Sequence, residues 1–475
     1  MPLLLLLTAA QIAPASAAGT ALVSVAADAG PANGESVDVT LSADGRFVAF
    51  GSRASNVVPG DSNGAEDVFV RDHSGGMTRV SVGSGGQQGN GRSYRPSLSA
   101  DGRYVAFVSE ASNLVPDDSN SVKDVFVHDR ATGATTRVSV APGGGQGNGA
   151  SFDAAISGDG RFVAFASLAR NLTPGDANAV HDIFVHDRAT GATTRVNDAV
   201  GGGDANRESE KPSLSHDGRY VAYSSSASNL VGGDSNGARD TFVHDRATGQ
   251  TARASVASGG GQQNGDSGFV PSISADGRYI AFMSDASNLV PGDRNGARDV
   301  FVHDRATTST TRVSVSSGGG EGNDDAFYAP SISGNGAVVA FVSEASNLVA
   351  GDTNGARDVF VHNRSTGTTT RVNVGPDGAQ AKGPTLGAPS VSADGGLVGF
   401  QSGASSLVQG DRNGADDVYV HGVGVQTVAL AQVSSGPGGY RLVASDGGIF
   451  SFGDGGFHGS TGAVRLARPI VAVAG

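Results

Sequence analysis

A chain of 475 residues with no cysteine and no tryptophan holds neither a disulfide scaffold nor a thiolate metal site nor a cysteine nucleophile. Its length suits two or three ordinary domains, or one large repeat domain. The net charge of −13, carried mostly by aspartates spread along the chain, argues against nucleic-acid binding, which needs a basic stripe to displace counterions. The same charge is compatible with a bound divalent cation.

Residues 1–17, MPLLLLLTAAQIAPASA, read as a secretory signal peptide. Leu3–Leu7 open an apolar run too short to span a bilayer, and Ala15-Ser16-Ala17 is an A-x-A cleavage pattern, although the usual basic n-region is missing. No later stretch contains 18 consecutive apolar residues, so the mature chain is expected to lack a transmembrane anchor. The expected location is secreted or cell-envelope associated.

The chain is internally repetitive. The D-G turn of SADGRFVAF recurs with its aspartate at Asp44, Asp101, Asp159, Asp217, Asp276 and Asp394, and with Asn335 in the sixth copy, at spacings of 57 to 59 residues. Each of the seven units carries four short β-type runs. In the second they are Pro96–Ser99, Arg103–Ser109, Asp124–Asp129 and Thr135–Val140. Taken together they are rich in Val, Phe, Tyr and Thr. Asp101-Gly102 turns the first run into the second, and Ala131-Thr132-Gly133 turns the third into the fourth. No stretch shows helical periodicity. Four antiparallel strands repeated seven times predict an all-β fold, a seven-bladed β-propeller. An open solenoid or separate small sheets would leave exposed edges.

Between the second and third runs every unit carries D-x-N-x-x-x-D. The triplets are Asp61/Asn63/Asp67, Asp118/Asn120/Asp124, Asp176/Asn178/Asp182, Asp234/Asn236/Asp240, Asp293/Asn295/Asp299, Asp352/Asn354/Asp358 and Asp411/Asn413/Asp417. Glycine follows the Asn in five of them, and Ser121 and Ala179 stand there in the other two. Side-chain oxygens at relative positions 1, 3 and 7 around a sharp bend suit a hard cation, which makes all seven loops candidate calcium sites. The spacing resembles the later part of the D-x-D-x-D-G-x-x-D calcium loops of other propellers, without their first aspartate. The alternative is a network of Asp and Asn bonded to their own backbone, with no ion.

Two loops, Gly60–Gly64 and Gly233–Gly237, spell G-x-S-x-G. They precede a strand, whereas a nucleophile elbow follows one. A histidine ends the third run in six units, at His128, His186, His244, His303, His362 and His421, with Arg71 in the first. One histidine per unit on an outward strand is expected to make structural hydrogen bonds.

The inter-unit connectors, such as Gly83–Ser93 and Ser316–Phe327, are long and differ from unit to unit. Together with the second-to-third loops they form one face of the ring, the expected binding face. Tyr94, Phe269, Phe327 and Tyr328 are its candidate contact residues. Glu208, Glu210, Asp324 and Asp325 are acids outside the repeat pattern.

After His421 the pattern fails, and the fourth run of the seventh unit is missing. Thr20–Gly30, TALVSVAADAG, matches Thr135–Gly145, TTRVSVAPGGG, in phase. The N-terminal strand Thr20–Val25 is therefore expected to complete the seventh blade. The propeller then spans 20–425 and leaves 426–475 as a short β-type extension.

The stretch PSLSADGRYVAFVSEASNLV resembles the WD-like repeats of the TolB-type propeller family of periplasmic and secreted bacterial proteins. That resemblance implies the fold and an extracytoplasmic location, and it carries little about function. Typical members have six such units, and this chain has seven. The tail, GYRLVASDGGIFSFGDGGFHGSTG, resembles a repeat found in secreted actinobacterial proteins, with Arg441 in place of the usual aromatic. The expected function is non-enzymatic binding of a protein or an envelope polymer through the long-loop face, by a monomer. The alternative is a polysaccharide lyase or glycan hydrolase with carboxylates at the central channel.

Overall fold

A computed structural model describes residues 19–268 and 270–423, and the backbone of 440–443 and 449–452. Seven antiparallel sheets of four strands follow one another along the chain. In blade two the strands are Ser93–Leu98, Tyr104–Ser109, Asp124–Asp129 and Ala134–Arg137. The signal-peptide reading of 1–17 falls outside the described residues. In the tail, Tyr440–Val443 pairs with Ile449–Phe452 as an antiparallel hairpin.

The V-A-F-V runs are apolar at nearly every position because both faces of each blade are covered. In blade two, Val105, Phe107 and Phe126 pack against Ala49, Val68, Val70 and Val80 of blade one. The residues between them, Ala106, Val108, Val125 and Val127, pack against Ile156, Val163, Phe165 and Phe184 of blade three. Each blade thus presents a Phe-rich face to one neighbour and an Ala/Val face to the other, so large side chains meet small ones. A side chain of this size, fully buried, contributes about 1.5–3 kcal/mol. The D-G turn serves the same stacking. Gly102 has φ of 67°, and a Cβ there would lie 2.2 Å from the Phe47 ring of the preceding blade.

Ring closure follows the sequence reading. Thr20–Leu22 pairs antiparallel with Asp417–Gly422, Thr20 opposite His421. Val23 and Ala32 join a core that unites Val418 and Val420 of blade seven with Val39, Val48, Phe50 and Phe69 of blade one.

The histidines tie blades together. His128 Nδ1 lies 2.8 Å from Thr135 Oγ1 on the fourth strand, and that hydroxyl donates to the Val82 carbonyl of blade one. His186, His244, His303, His362 and His421 meet Thr193, Thr251, Thr310, Thr369 and Thr20 in the same way. Arg71, which replaces the histidine in blade one, reaches the Val23 carbonyl directly at 3.3 Å. Burial lowers the pKa of all six histidines.

The innermost strands depart from the expected bounds. The first strand of blade two begins at Ser93 rather than Pro96, because a bulge between Tyr94 and Ser97 interrupts the pairing. Proline has no N–H for a ladder, so Pro96 marks this irregularity and not the strand's start. Blades one, three, four and six carry the same bulge.

Candidate functional site

Each bulge turns one non-repeated residue toward the axis. Two positions beyond the first residue of the innermost strand stand Asp38, Arg95, Asp153, Lys211 and Tyr328, in blades one, two, three, four and six. All five hold left-handed φ, between 51° and 60°. That conformation is strained for any side chain with a Cβ, and such strain concentrates at functional sites. Gly387 takes the place in blade seven. Phe269, which has the matching sequence position in blade five, lies outside the described residues.

These residues line one cavity of about 890 Å³ to which all seven blades contribute. Arg92 from a connector and Lys123 from a second-to-third loop also line it, which places it toward the long-loop face. Its charged lining is four cations, Arg92, Arg95, Lys123 and Lys211, against two anions, Asp38 and Asp153. The channel is therefore net positive inside a chain of net charge −13.

The charges form a ladder around the axis. The Arg95 N–H donates to Asp38 Oδ2 at 3.3 Å, the Arg95 guanidinium pairs with Asp153, and Lys211 Nζ reaches the same Asp153 oxygen at 3.1 Å. Burial pushes the Asp38 carboxyl above the usual range, against the pull of Arg95. Aromatic rings stand between the charges. The Arg92 guanidinium lies 4.3 Å from the Tyr94 ring centre, and Lys123 lies 5.7 Å and 5.9 Å from Tyr94 and Phe152.

A second set surrounds the mouth at the residue before each third strand. Glu66, Lys123, His181, Arg239, Arg298, Arg357 and Asp416 are charged or titratable in every blade, five of them basic or potentially so. Sequence reasoning missed this position, although its change of sign among otherwise constant neighbours was the available signal. Glu66, itself buried, pairs with Arg92 at 2.9 Å and Arg53 at 3.6 Å. His181 meets Glu210 at 2.7 Å, and Arg239 spans Glu208 and Glu210 at 3.0 and 3.1 Å. The hydrogen bond His181 donates to Glu210 raises the His181 pKa, and the same bond holds Glu210 down at about 2. Glu208 and Glu210 are thus brought to one cluster. Asp325 instead accepts the Arg298 N–H at 2.7 Å in blade five's long loop. Of the candidate aromatics, Tyr94 and Tyr328 line the cavity, and Phe327 packs under Arg357 at 4.0 Å.

The seven Asp/Asn/Asp triplets stay one per blade, and their asparagines do not turn an oxygen toward the carboxylates. In blade one, Asn63 Oδ1 accepts the Ala65 N–H, and its amide donates to Asp67 and to the Gly89 carbonyl. In blade two the Asn120 amide donates to Asp124 at 3.4 Å and to the Gly147 carbonyl at 3.0 Å. Asn178, in the Asp176/Asp182 loop of blade three, donates to the Ala205 carbonyl at 3.1 Å. Asn236 donates to Asp240 at 3.3 Å in blade four, and Asn295 to Asp299 at 3.0 Å in blade five. In blade six, Asn354 donates to Asp358 at 3.1 Å. The oxygens of Asn120, Asn178, Asn236, Asn295 and Asn354 are taken by backbone N–H groups two residues on. This is the Asx-type network that the sequence left open beside the cation reading.

An arginine of the fourth strand stands between the two aspartates in six of the loops. Arg79 Nη1 lies 3.4 Å from Asp61 and 3.6 Å from Asp67. Arg137 stands likewise beside Asp118 and Asp124, Arg195 beside Asp176 and Asp182, and Arg253 beside Asp234 and Asp240. The tightest are Arg312, 3.2 Å from Asp293 and 2.9 Å from Asp299, and Arg371, 3.2 Å from Asp352 and 3.3 Å from Asp358. Blades one to six thus differ from blade seven in what stands between the two carboxylates. In the first six the protein's own guanidinium lies beside both carboxylates, and in all seven the asparagine amide points a donor toward the loop. Ser121 and Ala179 adopt φ of 56° and 60° where the other loops have glycine. Among the described residues, no group of three or more His, Asp or Glu side chains gathers as a metal-ligand set.

No protein-family model matches the chain, and no curated protein sequence does. Solved structures do. TolB from Acinetobacter baumannii is 16% identical at a TM-score of 0.39, over 71% of this chain and 63% of that one; the chain therefore spans less than two thirds of its length. A putative TolB from Agrobacterium tumefaciens is 18% identical at a TM-score of 0.39, over 74% and 95%. An oligogalacturonate lyase from Vibrio parahaemolyticus is 14% identical at a TM-score of 0.50, over 86% and 97%. The likeness is one of fold. No helix of the described residues is long and apolar enough to cross a membrane.

Proposed function

We propose that this protein is an extracytoplasmic propeller that captures an acidic polymer segment, a carboxylate-bearing oligosaccharide, in the mouth of its central channel. One observation carries the reading: a cavity lined by four cations, two anions and interleaved aromatic rings, none of them repeat residues, sits at the axis of an acidic protein. Arginine and lysine in a partly desolvated channel suit ligand carboxylates. The rings of Tyr94, Phe152 and Tyr328 offer flat apolar surface for sugar rings, and a concave site with few polar groups favours one oriented ligand. The strained backbone at Arg95, Asp153 and Lys211 fits residues held for binding and not for folding.

Isothermal titration with oligogalacturonate, a ligand of this class that gives one structural neighbour its name, against a neutral oligosaccharide of equal length tests the reading. Binding of the acidic ligand only, weakened by salt and by Lys211→Ala, is expected. Equal binding of the neutral ligand, or binding indifferent to Lys211→Ala, overturns it. Asp38 supports a second reading, cleavage of the captured polymer. Its carboxyl, raised by burial, is the group suited to hold or take a proton. New chain ends after incubation with the polymer, abolished by Asp38→Asn, would establish that reading.

A further inference from the structure

Six of the seven long loops place a guanidinium between their two aspartates, and the loop of blade seven does not. That loop keeps Asp411, Asn413 and Asp417, and both of its carboxylates are buried, at 6% and 0% exposure. The fourth strand of this blade is the N-terminal one. The register that sets Arg137 opposite Phe126 in blade two sets Leu22 opposite Tyr419 here. Leucine brings no charge and falls short of arginine's reach. The glutamine that bonds the first loop aspartate in blade two, Gln146, is replaced by Pro31 at the matching bridge.

What remains around the two carboxylates is a set of neutral donors. Ser24 Oγ donates to Asp417 Oδ1 at 2.6 Å, and the Asn413 amide donates to Asp417 Oδ2 at 2.7 Å. The Tyr419 hydroxyl donates to Asp411 Oδ2. Asp411 Oδ1 is buried and has no hydrogen-bond partner. A buried carboxylate oxygen with neither donor nor counter-charge is strongly unfavourable. In the same place in six sibling loops, the protein supplies a cation of its own.

We propose that blade seven binds one divalent cation, held by Asp411 and Asp417 where arginine stands in the other six blades. The chemistry of the seat selects the ion. Its ligating side-chain atoms are oxygens only, which suits a hard cation such as calcium or magnesium with water completing the shell. Two carboxylates neutralise one divalent ion. Tyr419 orients Asp411, and Asn413 and Ser24 orient Asp417, as surrounding donors fix ligating carboxylates. Because Ser24 belongs to the N-terminal segment and Asp417 to the last blade, the ion braces the joint that closes the ring.

The test is thermal melting of the full chain in calcium and in chelator, with bound metal counted by elemental analysis. The unmodified protein is expected to retain one ion and to melt several degrees higher in calcium. Leu22→Arg, which restores the sibling residue, is expected to abolish the ion and the calcium response together while keeping the fold. Asp411→Asn, which keeps the volume, is expected to abolish them as well. No calcium response in the unmodified protein overturns the proposal, as does a response of unchanged size in either variant, because the ion would then sit elsewhere.

Discussion

The outer wall of the ring and its inner lining come from the same seven units. On the outer wall the chemistry recurs. A histidine bonds a threonine that bonds the previous blade's carbonyl, and an arginine stands between two loop aspartates in six blades. On the lining, one equivalent position holds Asp38, Arg95, Asp153, Lys211, Tyr328 and Gly387. Contacts between neighbouring blades are the same problem posed seven times, so one residue type answers it in six of the seven blades. A ligand on the axis meets all seven units at once and breaks their equivalence. Under the proposed function, difference among repeats marks the binding region, and sameness marks the scaffold.

The contrast can be broken most severely at closure. Deleting residues 20–25 removes the strand that pairs with blade seven, unburies the partners of Val23 and leaves Asp417 without Ser24. The expected loss is about 5 kcal/mol or more, from lost apolar burial and an unpartnered buried carboxylate, read as a collapse of cooperative urea unfolding. Next comes a single scaffold arginine. Arg253→Leu leaves Asp234 and Asp240 buried without their cation, and a cost of about 3–5 kcal/mol is expected from denaturant midpoints.

The lining should respond the opposite way. Lys211→Gly removes an ion pair and also relieves a left-handed φ of 60°. Stability is expected to change by no more than about 1 kcal/mol, while affinity for an acidic oligosaccharide falls about tenfold or more. A large loss of stability without loss of binding would erase the distinction between wall and lining.

The smallest effect belongs to the His181–Glu210 pair at the mouth. The His181 pKa is raised above 6.5, so its contribution is fully present below that value and is lost as pH rises through the higher folded value. Glu210 is lowered from 4.5 to about 2, so its contribution is present above 4.5 and fades as pH falls toward 2. The pair should stabilise most between pH 4.5 and 6.5, by about 1 kcal/mol or less given its partial exposure. In melting temperatures measured across this range, His181→Gln should flatten the decline above pH 6.5.

The scaffold was legible because its signals are local and repeated. The D-G turns, the V-A-F-V runs and the phase match of TALVSV with TTRVSV led to the blades, their order and the closing strand. The lining was not, because a bulge leaves no pattern of its own and Pro96 read as a strand's first residue. The role of the six arginines was hidden for another reason. Each lies on the fourth strand, more than ten residues from the aspartates it stands between, and only the register brings them together. Leu22 in place of arginine was visible in the aligned termini, and it gains meaning only once Arg137 is seen beside Asp118 and Asp124.

The joint between the first strand and the last blade also bears on how the molecule is made. Thr20 meets its partner His421 across 401 positions of chain, so the closing strand is synthesised long before the strand it pairs with. Contacts this distant in sequence form slowly. Until blade seven is complete, Thr20–Leu22 has no strand to join and both rims of the nascent arc lie bare. A partner that shelters those rims, or rapid stacking of the six self-contained blades, would decide how much chain reaches the ring and how much aggregates.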